Sequence, residues 1–101
     1  MRGTPTYDLH LLQHLVGQGE LSRAVTESAR AGAIAMGWNV PEIIEAVLEL
    51  DSRDFYKTME AEKCPGLWQD VYHLDFRGDA LYIKLQRSPD GRAVVVQFKR
   101  K

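Results

Sequence analysis

The sequence predicts an α+β fold in which N-terminal helices pack on one face of a C-terminal antiparallel β-meander. Three runs rich in alternating apolar residues, 67–76, 80–87 and 92–99, are separated by short turn sequences. The second turn, Ser-Pro-Asp-Gly at 88–91, is typical of a type I turn, because Pro presets φ and Gly closes the turn. Short loops join antiparallel neighbours, so these runs predict a three-stranded meander.

Three helices are predicted before the sheet. The first follows Asp8 and ends at Gly17, and the second is an alanine-rich helix from Thr26 to near Gly37. The third begins after Asn39, with Pro in its first turn and Glu three residues after the cap, which is a capping-box pattern. The positions predicted to face inward are Leu9, Leu12, Leu15, Val16, Ile43, Ile44, Val47, Leu48 and Leu50, and those predicted to allow close helix packing are Ala29, Ala33 and Ala35.

Two shorter segments complete the predicted elements. Residues 21–25 are expected to form a short extended piece. Residues 51–54 are expected to start a short helix that carries Phe55, Tyr56, Lys57 and Met59, with its acids favourably placed at the N-terminus. Cys-Pro-Gly at 64–66 would end that helix and lead into the first strand.

The register of the two hairpins determines which face each side chain occupies. The predicted pairs are Tyr82 with His73 and Gln86 with Gln69 across 77–79, and Tyr82 with Gln97 and Lys84 with Val95 across 88–91. The predicted core face consists of Trp68, Tyr72, Leu74, Phe76, Leu81, Ile83, Leu85, Val94, Val96 and Phe98. The predicted polar face consists of Gln69, Val71, His73, Ala80, Tyr82, Lys84, Gln86, Val95, Gln97 and Lys99. The alternation of side chains also assigns Asp70 to the core face, and of the residues assigned there this charged one fits least well. The polar face suits either solvent or an anionic ligand that accepts hydrogen bonds.

The length of the chain predicts one domain spanning residues 1–101. A chain of this length buries roughly two-thirds of its unfolded surface, so it needs no disulfides or metals to fold. Its single cysteine, Cys64, excludes an intramolecular disulfide and a Cys-rich zinc site, which favours a cytoplasmic setting. No run approaches the roughly 20 apolar residues of a membrane span, and no signal peptide is predicted.

Charge is distributed unevenly along the chain, although the net charge is only −1. Residues 1–76 hold 6 Lys and Arg against 12 Asp and Glu, whereas residues 77–101 hold 7 against 2. Such asymmetry is compatible with a polyanion site near the C-terminus, and equally with a basic sheet edge that prevents aggregation.

Metal and thiol chemistry have weak support. His10 and His14 are one helical turn apart, but no Cys or third His lies nearby, so a solvated helix face is favoured over a metal site. Cys64 has no His close in sequence and is interpreted as an incidental loop thiol. No cofactor is predicted, and any catalysis would use Lys, Tyr, Gln, His or Arg.

Four short segments give the chain a family resemblance. Asp-Phe-Tyr-Lys at 54–57, Trp-Gln-Asp-Val-Tyr at 68–72, Leu-Tyr-Ile-Lys at 81–84 and Val-Gln-Phe-Lys at 96–99 occur in order and at nearly matching spacing. Together they resemble the motility quorum-sensing regulator (MqsR) family of type II toxins, over a region from about Leu9 to the C-terminus.

The resemblance implies a RelE-like mRNA endoribonuclease that needs neither metal nor ribosome and prefers short GC-containing sequences. It also implies a cognate antitoxin with zinc-binding and helix-turn-helix domains, which alone would contact operator DNA. The chain departs from the family in being slightly acidic and in having His73 where Arg is familiar.

Carrying the family's functional residues across by motif gives a catalytic set of Lys57, Gln69, Tyr82 and Lys99. Tyr82 and Lys57 are expected to transfer protons, in either order, with His73 as the alternative acid or base. Lys99, helped by Lys84 or Arg92, would stabilise the phosphorane, and Gln69 would hold the phosphate or a base edge. The predicted RNA-binding set is His73, Lys84 and Arg92. The competing hypothesis is a non-catalytic binding module, or an inactive relative of the toxins, that docks a partner on its sheet.

Overall fold

A computed structural model describes residues 3–18 and 23–101 of the chain. Its helices are α1 (Leu9–Val16), α2 (Glu27–Ala35) and α3 (Val40–Glu49), followed by a 3-10 turn (Ser52–Asp54). Its strands are β1 (Phe55–Ala61), β2 (Cys64–Phe76), β3 (Asp79–Arg87) and β4 (Ala93–Arg100). They form one antiparallel sheet in the order β1-β2-β3-β4, so the α+β prediction is confirmed.

The predicted helix boundaries follow from their caps. The side chains of Asp8, Thr26 and Asn39 accept backbone N–H hydrogen bonds at the starts of α1, α2 and α3. In α3, Glu42 closes the capping box that the sequence predicts. Inward positions are also confirmed, except that Leu48 is 52% exposed.

The helices cover one face of the sheet and form a single hydrophobic core with it. Helix α2 lies closest, because a Cβ atom on Gly32 would come within 2.0 Å of the carbonyl oxygen of Phe98 in β4. Ala29 and Ala33 are buried in this contact region, as predicted, whereas Ala35, the third alanine of that prediction, is exposed. Residues 21–22 of the predicted extended piece lie outside the described chain. Of the other three residues only Val25 forms a β-bridge, in parallel with Val95, whereas Arg23 is in a 3-10 conformation and Ala24 in a bend, so the prediction is wrong for those two.

The sheet has a fourth strand, β1, where the sequence analysis expected a short helix. The acidic cap of Asp51 starts only the 3-10 turn, and residues 55–61 then pair with β2. Thr58, a β-branched residue, is fully buried opposite Asp70 in this pair. The helical prediction for 55–59 is therefore wrong, because strand pairing and burial override the local helix-start signal.

The β3–β4 register is also corrected. Tyr82 pairs with Lys99 and Lys84 with Gln97, rather than with Gln97 and Val95 as predicted. The connection contains one more residue than predicted, since Arg87 pairs with Ala93, and a β-bulge next to Lys84 and Leu85 adds another. A shift of two residues keeps Gln97 and Lys99 on the polar face.

The bulge changes the faces of the β4 residues that precede it. Val95 pairs with Leu85 and lies in the core, whereas Val94 pairs with Gln86 outside it. The predicted places of Val94 and Val95 are therefore reversed. Val96 was predicted to be a core residue, but it is only partly buried and lies outside the core.

Asp70 lies on the core face, as parity requires, and is fully buried. Its carboxylate accepts hydrogen bonds from the backbone N–H groups of Thr6 (3.0 Å) and Tyr7 (2.9 Å). These bonds compensate for burial of the charge and fasten the segment before α1 to β2.

Candidate functional site

The candidate site lies on the sheet face turned away from the helices. This polar face comprises Tyr56, Lys57, Met59, Gln69, Val71, His73, Tyr82, Lys84, Gln86, Val94, Gln97 and Lys99. It brings together every predicted catalytic residue. Lys57 reaches it from strand β1, however, and not from a preceding helix as the sequence analysis expected.

The central row of the polar face carries two lysines. Lys57 of β1 and Lys84 of β3 are both cross-strand neighbours of Val71, and Gln97 continues the row on β4. Val71 is fully buried although it does not belong to the core under the helices. Long lysine stems can cover an apolar side chain while their ammonium groups stay in water.

The adjacent row is aromatic. The rings of Tyr56 and His73 are stacked, with centroids 4.2 Å apart and planes at 21°, and the His73 and Tyr82 centroids lie 5.9 Å apart. Lys99 Nζ lies 4.9 Å from the centre of the Tyr82 ring, and Lys84 Nζ lies 5.9 Å from it. The Tyr82 ring therefore has two ammonium groups beside it, a cation–π arrangement that also makes the row electropositive.

Gln69 occupies the row on the other side of the two lysines. Its Nε2 donates a 2.9 Å hydrogen bond to Gln86 Oε1, and Gln86 Nε2 in turn donates to Ser88 Oγ at 3.2 Å. Gln69 is only 8% exposed and lines a cavity of about 600 Å³ together with Lys84 and Gln97. The amide is therefore held in a fixed orientation at the edge of a polar cavity.

The surroundings of three titratable groups shift their pKa values. Burial, with a smaller effect of Tyr56, raises the pKa of the Tyr82 phenol. Burial and then the charges of Lys101 and Lys57 lower the pKa of His73. Burial, followed by the nearby ammonium groups of Lys57 and Lys99, lowers the pKa of Lys84. At neutral pH the phenol therefore keeps its proton and the imidazole is uncharged.

Arg92 does not contact the aromatic row. It lies in the β3–β4 connection, where its Nε donates to Asp90 Oδ2 at 2.6 Å and its Nη1 donates to the carbonyl of Arg23 at 3.0 Å. Its side chain is therefore engaged locally. Tyr56 is the site residue that the sequence analysis missed, and the cue was its place beside Lys57 in the Phe-Tyr-Lys segment.

Other candidate chemistry receives little support. His10 and His14 are exposed on α1, and no group of three or more His, Cys, Asp or Glu within residues 3–18 and 23–101 is arranged to hold a metal ion. Cys64 is an exposed thiol at the start of β2. In the part of the chain that the structure describes, no helix is long and apolar enough to span a membrane.

The fold and the site define a small α+β protein whose open sheet face combines ammonium groups, one exposed and two partly buried aromatic rings and a hydrogen-bonded amide, as polyanion-binding surfaces do. The profile of the family described as "Motility quorum-sensing regulator, toxin of MqsA" matches residues 4–100. A curated relative, the mRNA interferase toxin MqsR of Escherichia coli (strain K12), is 30% identical over 98 residues, covering 97% of this chain and 96% of the relative. The chain belongs to the MqsR toxin family.

Proposed function

We propose that this protein is the toxin of a type II toxin–antitoxin pair and acts as an mRNA endoribonuclease. The observation that carries the proposal is the convergence of Lys57, Gln69, Tyr82 and Lys99 on one open face of the sheet. Membership of the toxin family and the name of the curated relative support the same activity.

The proposed reaction uses the nucleophile that RNA carries. The 2′-hydroxyl attacks the adjacent phosphorus while a base takes its proton, and an acid protonates the departing 5′-oxygen. The products are a 2′,3′-cyclic phosphate and a 5′-hydroxyl. The protein has to supply two proton-transfer groups and positive charge for the dianionic transition state.

Tyr82 is assigned as the proton donor. Burial raises the pKa of the phenol, so at neutral pH it carries a proton to donate and is not ionised to act as a base. Lys57 is assigned as the proton acceptor, because the family resemblance pairs it with Tyr82 and because it lies on the same sheet face, beside Val71. His73, uncharged at neutral pH, is the alternative acceptor.

Positive charge for the phosphorane is assigned to Lys99 and Lys84, whose ammonium groups lie 4.9 Å and 5.9 Å from the centre of the Tyr82 ring. Arg92 is left out of this assignment, because its side chain donates hydrogen bonds to Asp90 and to the carbonyl of Arg23. Gln69 is assigned to holding a phosphate oxygen or a base edge, since its amide is fixed by Gln86 beside the cavity.

Finer features of the proposal come from the family resemblance. The reaction would need neither metal nor ribosome, with lysines providing the cationic groups, and would favour short GC-containing sequences in cytoplasmic mRNA. The cognate antitoxin would carry a zinc-binding domain and a helix-turn-helix domain, and operator DNA would be contacted through it. A neighbouring reading frame that encodes such a protein would support this part of the proposal.

The proposal is tested with Lys57→Ala and Tyr82→Ala, each expected to reduce RNA cleavage at least about 100-fold. Arg53→Ala is the matched control, because Arg53 is exposed on the 3-10 turn. The readouts are growth arrest on induction, cleavage of a defined transcript, and identification of its cyclic phosphate and 5′-hydroxyl ends. Folded Lys57 and Tyr82 variants with full toxicity and cleavage would contradict the mechanism.

The second candidate function is a non-catalytic binding module, which the net charge of −1 favours. Such a module would bind RNA or a protein partner on the same sheet face but leave RNA intact. Salt-dependent RNA binding with no cleavage by the wild-type chain would select this alternative.

A further inference from the structure

Tyr56 is one of the large side chains that this fold leaves exposed. Its side chain is among the most exposed large hydrophobic ones, at 54%, although it adjoins Phe55, which packs inward against Tyr72. The β1–β2 pairing passes from Phe55 opposite Tyr72 to Lys57 opposite Val71, so Tyr56 is the extra residue of a β-bulge. Bulges redirect side chains and often occur beside active sites.

The bulge places the Tyr56 ring on the polar face, where one side of it is already supported. Its stacking on His73, at 4.2 Å and 21°, fixes the orientation of both rings. Lys57 Nζ lies 5.5 Å from the centre of the Tyr56 ring. The result is a rigid, partly exposed aromatic surface with a cation beside it.

This surface adjoins the proposed reaction centre, because Tyr56 and His73 share a row of the polar face with Tyr82 and Lys99. His73 is two residues from Val71 on β2, and Val71 lies between Lys57 and Lys84. Two residues of a strand span roughly 7 Å, which places the Tyr56–His73 pair beside the lysines that would hold the scissile phosphate. Proteins recognise single-stranded RNA by stacking its bases on aromatic side chains while basic groups follow the backbone.

We propose that Tyr56, backed by His73, is a stacking platform for the nucleobase next to the scissile phosphate. The proposal rests on the ribonuclease function argued above and adds a residue that positions the substrate. Because every base presents a π-face, the contact would orient the RNA strand without selecting its sequence.

The first test measures RNA binding with an uncleavable oligonucleotide that carries 2′-deoxyribose at the mapped cleavage site. Removing a base–aromatic stack costs about 1–3 kcal/mol, so Tyr56→Ala is expected to weaken affinity roughly 5- to 150-fold. Tyr56→Phe keeps the ring and is expected to stay within about threefold of the wild type. Ile34→Ala, at an exposed apolar position on α2, is the matched control and is expected to bind normally.

The second test pairs these variants with RNA that lacks the base beside the cleavage site. Wild type and Tyr56→Ala are expected to bind this abasic RNA equally, because the partner of the platform is gone. In cleavage assays on intact RNA, Tyr56→Ala should raise KM more than it lowers kcat. Equal affinity of Tyr56→Ala and wild type for intact RNA, or an undiminished difference between them on RNA lacking either neighbouring base, would overturn the proposal.

The outcomes also separate this inference from the proposed function. A wild-type chain that binds unmodified single-stranded RNA more tightly than Tyr56→Ala does, but cleaves no RNA, would support base stacking by Tyr56 and refute the ribonuclease. Cleavage that depends on Tyr82 but proceeds with normal KM in Tyr56→Ala would uphold the ribonuclease and refute the platform.

Discussion

Tyr82 and His73 are cross-strand neighbours whose pKa values move in ways that suit different tasks. The phenol holds its proton more tightly than in water, and the imidazole loses its proton more readily. Both effects arise mainly from burial, which disfavours the charged form of each group. Burial in the same part of the sheet therefore keeps the Tyr82 phenol protonated and the His73 imidazole uncharged.

The lowered pKa of His73 has a consequence for folding. The unfolded chain binds a proton at this residue more readily than the folded chain, so its contribution to stability falls as pH drops through the unfolded value near 6.5. We expect His73→Gln to lose less stability than wild type between pH 7.5 and pH 5, measured by urea denaturation. An identical loss in both proteins would contradict this assignment.

Two tyrosines offer a matched test of hydroxyl burial. The Tyr72 hydroxyl is buried without a hydrogen-bond partner among the described residues, whereas Tyr7 Oη donates a 2.6 Å bond to the carbonyl of Trp68. Burying an unpaired hydroxyl costs about 1–3 kcal/mol. We expect Tyr72→Phe to raise the free energy of unfolding by about 1 kcal/mol and Tyr7→Phe to lower it by about 1 kcal/mol. Equal destabilisation by both changes would show that the Tyr72 hydroxyl is satisfied.

At the scale of elements, the close approach of α2 to β4 depends on Gly32. Alanine normally stabilises a helix relative to glycine by about 1 kcal/mol, but here its Cβ would lie 2.0 Å from the Phe98 carbonyl oxygen. We expect Gly32→Ala to destabilise the protein by about 1–3 kcal/mol, as overpacking does. The control is Gly17→Ala, where the nearest atom would be at 3.7 Å and φ is −81°. A neutral Gly32→Ala in thermal denaturation would contradict the packing.

The helices were largely predictable because their signals are local. Asp8, Thr26 and Asn39 each bind the backbone within three residues, so the sequence alone indicates where each helix begins. Strand β1 was not predictable in this way. Its capped 3-10 turn resembles a helix start, and only pairing with β2 makes the following residues extended.

The face of a site residue could be predicted where an error in strand register was an even number of residues, because such an error leaves each side chain on the same face of the sheet. Tyr82 and Lys99 fell on the polar face although their pairing was two residues out, because a shift of two preserves the face. The predicted faces of Val94 and Val95 were reversed, because a β-bulge separates these two residues from Gln97 and Lys99 along β4. The Tyr56–His73 stack depends on a second bulge, whose presence no local sequence pattern indicated.

At the scale of the whole molecule, lysines gather on the polar face although the chain as a whole is slightly acidic and Glu62 lies near Lys84. Acidic Glu42 and Glu45 lie on α3, where Arg77 pairs with both, whereas Lys57, Lys84 and Lys99 lie on the polar face. The small net charge of the chain therefore conceals a local cluster of lysines on one face of the sheet. RNA binding through this face should depend on salt despite the acidic balance of the chain.

The salt dependence can be estimated from the lysines. Three phosphate contacts predict a slope of log K against log salt of roughly −2 for single-stranded RNA, since each contributes about −0.7. Lys99→Gln should make the slope less steep by about 0.7, and Arg53→Gln, at an exposed position on the 3-10 turn, should leave it unchanged. A slope unaffected by Lys99→Gln, measured by fluorescence anisotropy, would place RNA elsewhere.

The central claim is that the polar face of the sheet is the surface that engages RNA. Its most direct test is a titration of isotopically labelled wild-type protein with the uncleavable oligonucleotide, followed by NMR chemical shifts. We expect the largest changes at Lys57, Gln69, Tyr82 and Lys99, with α1 and α3 unaffected. Shifts confined to the helices, with these four residues unchanged, would contradict the account.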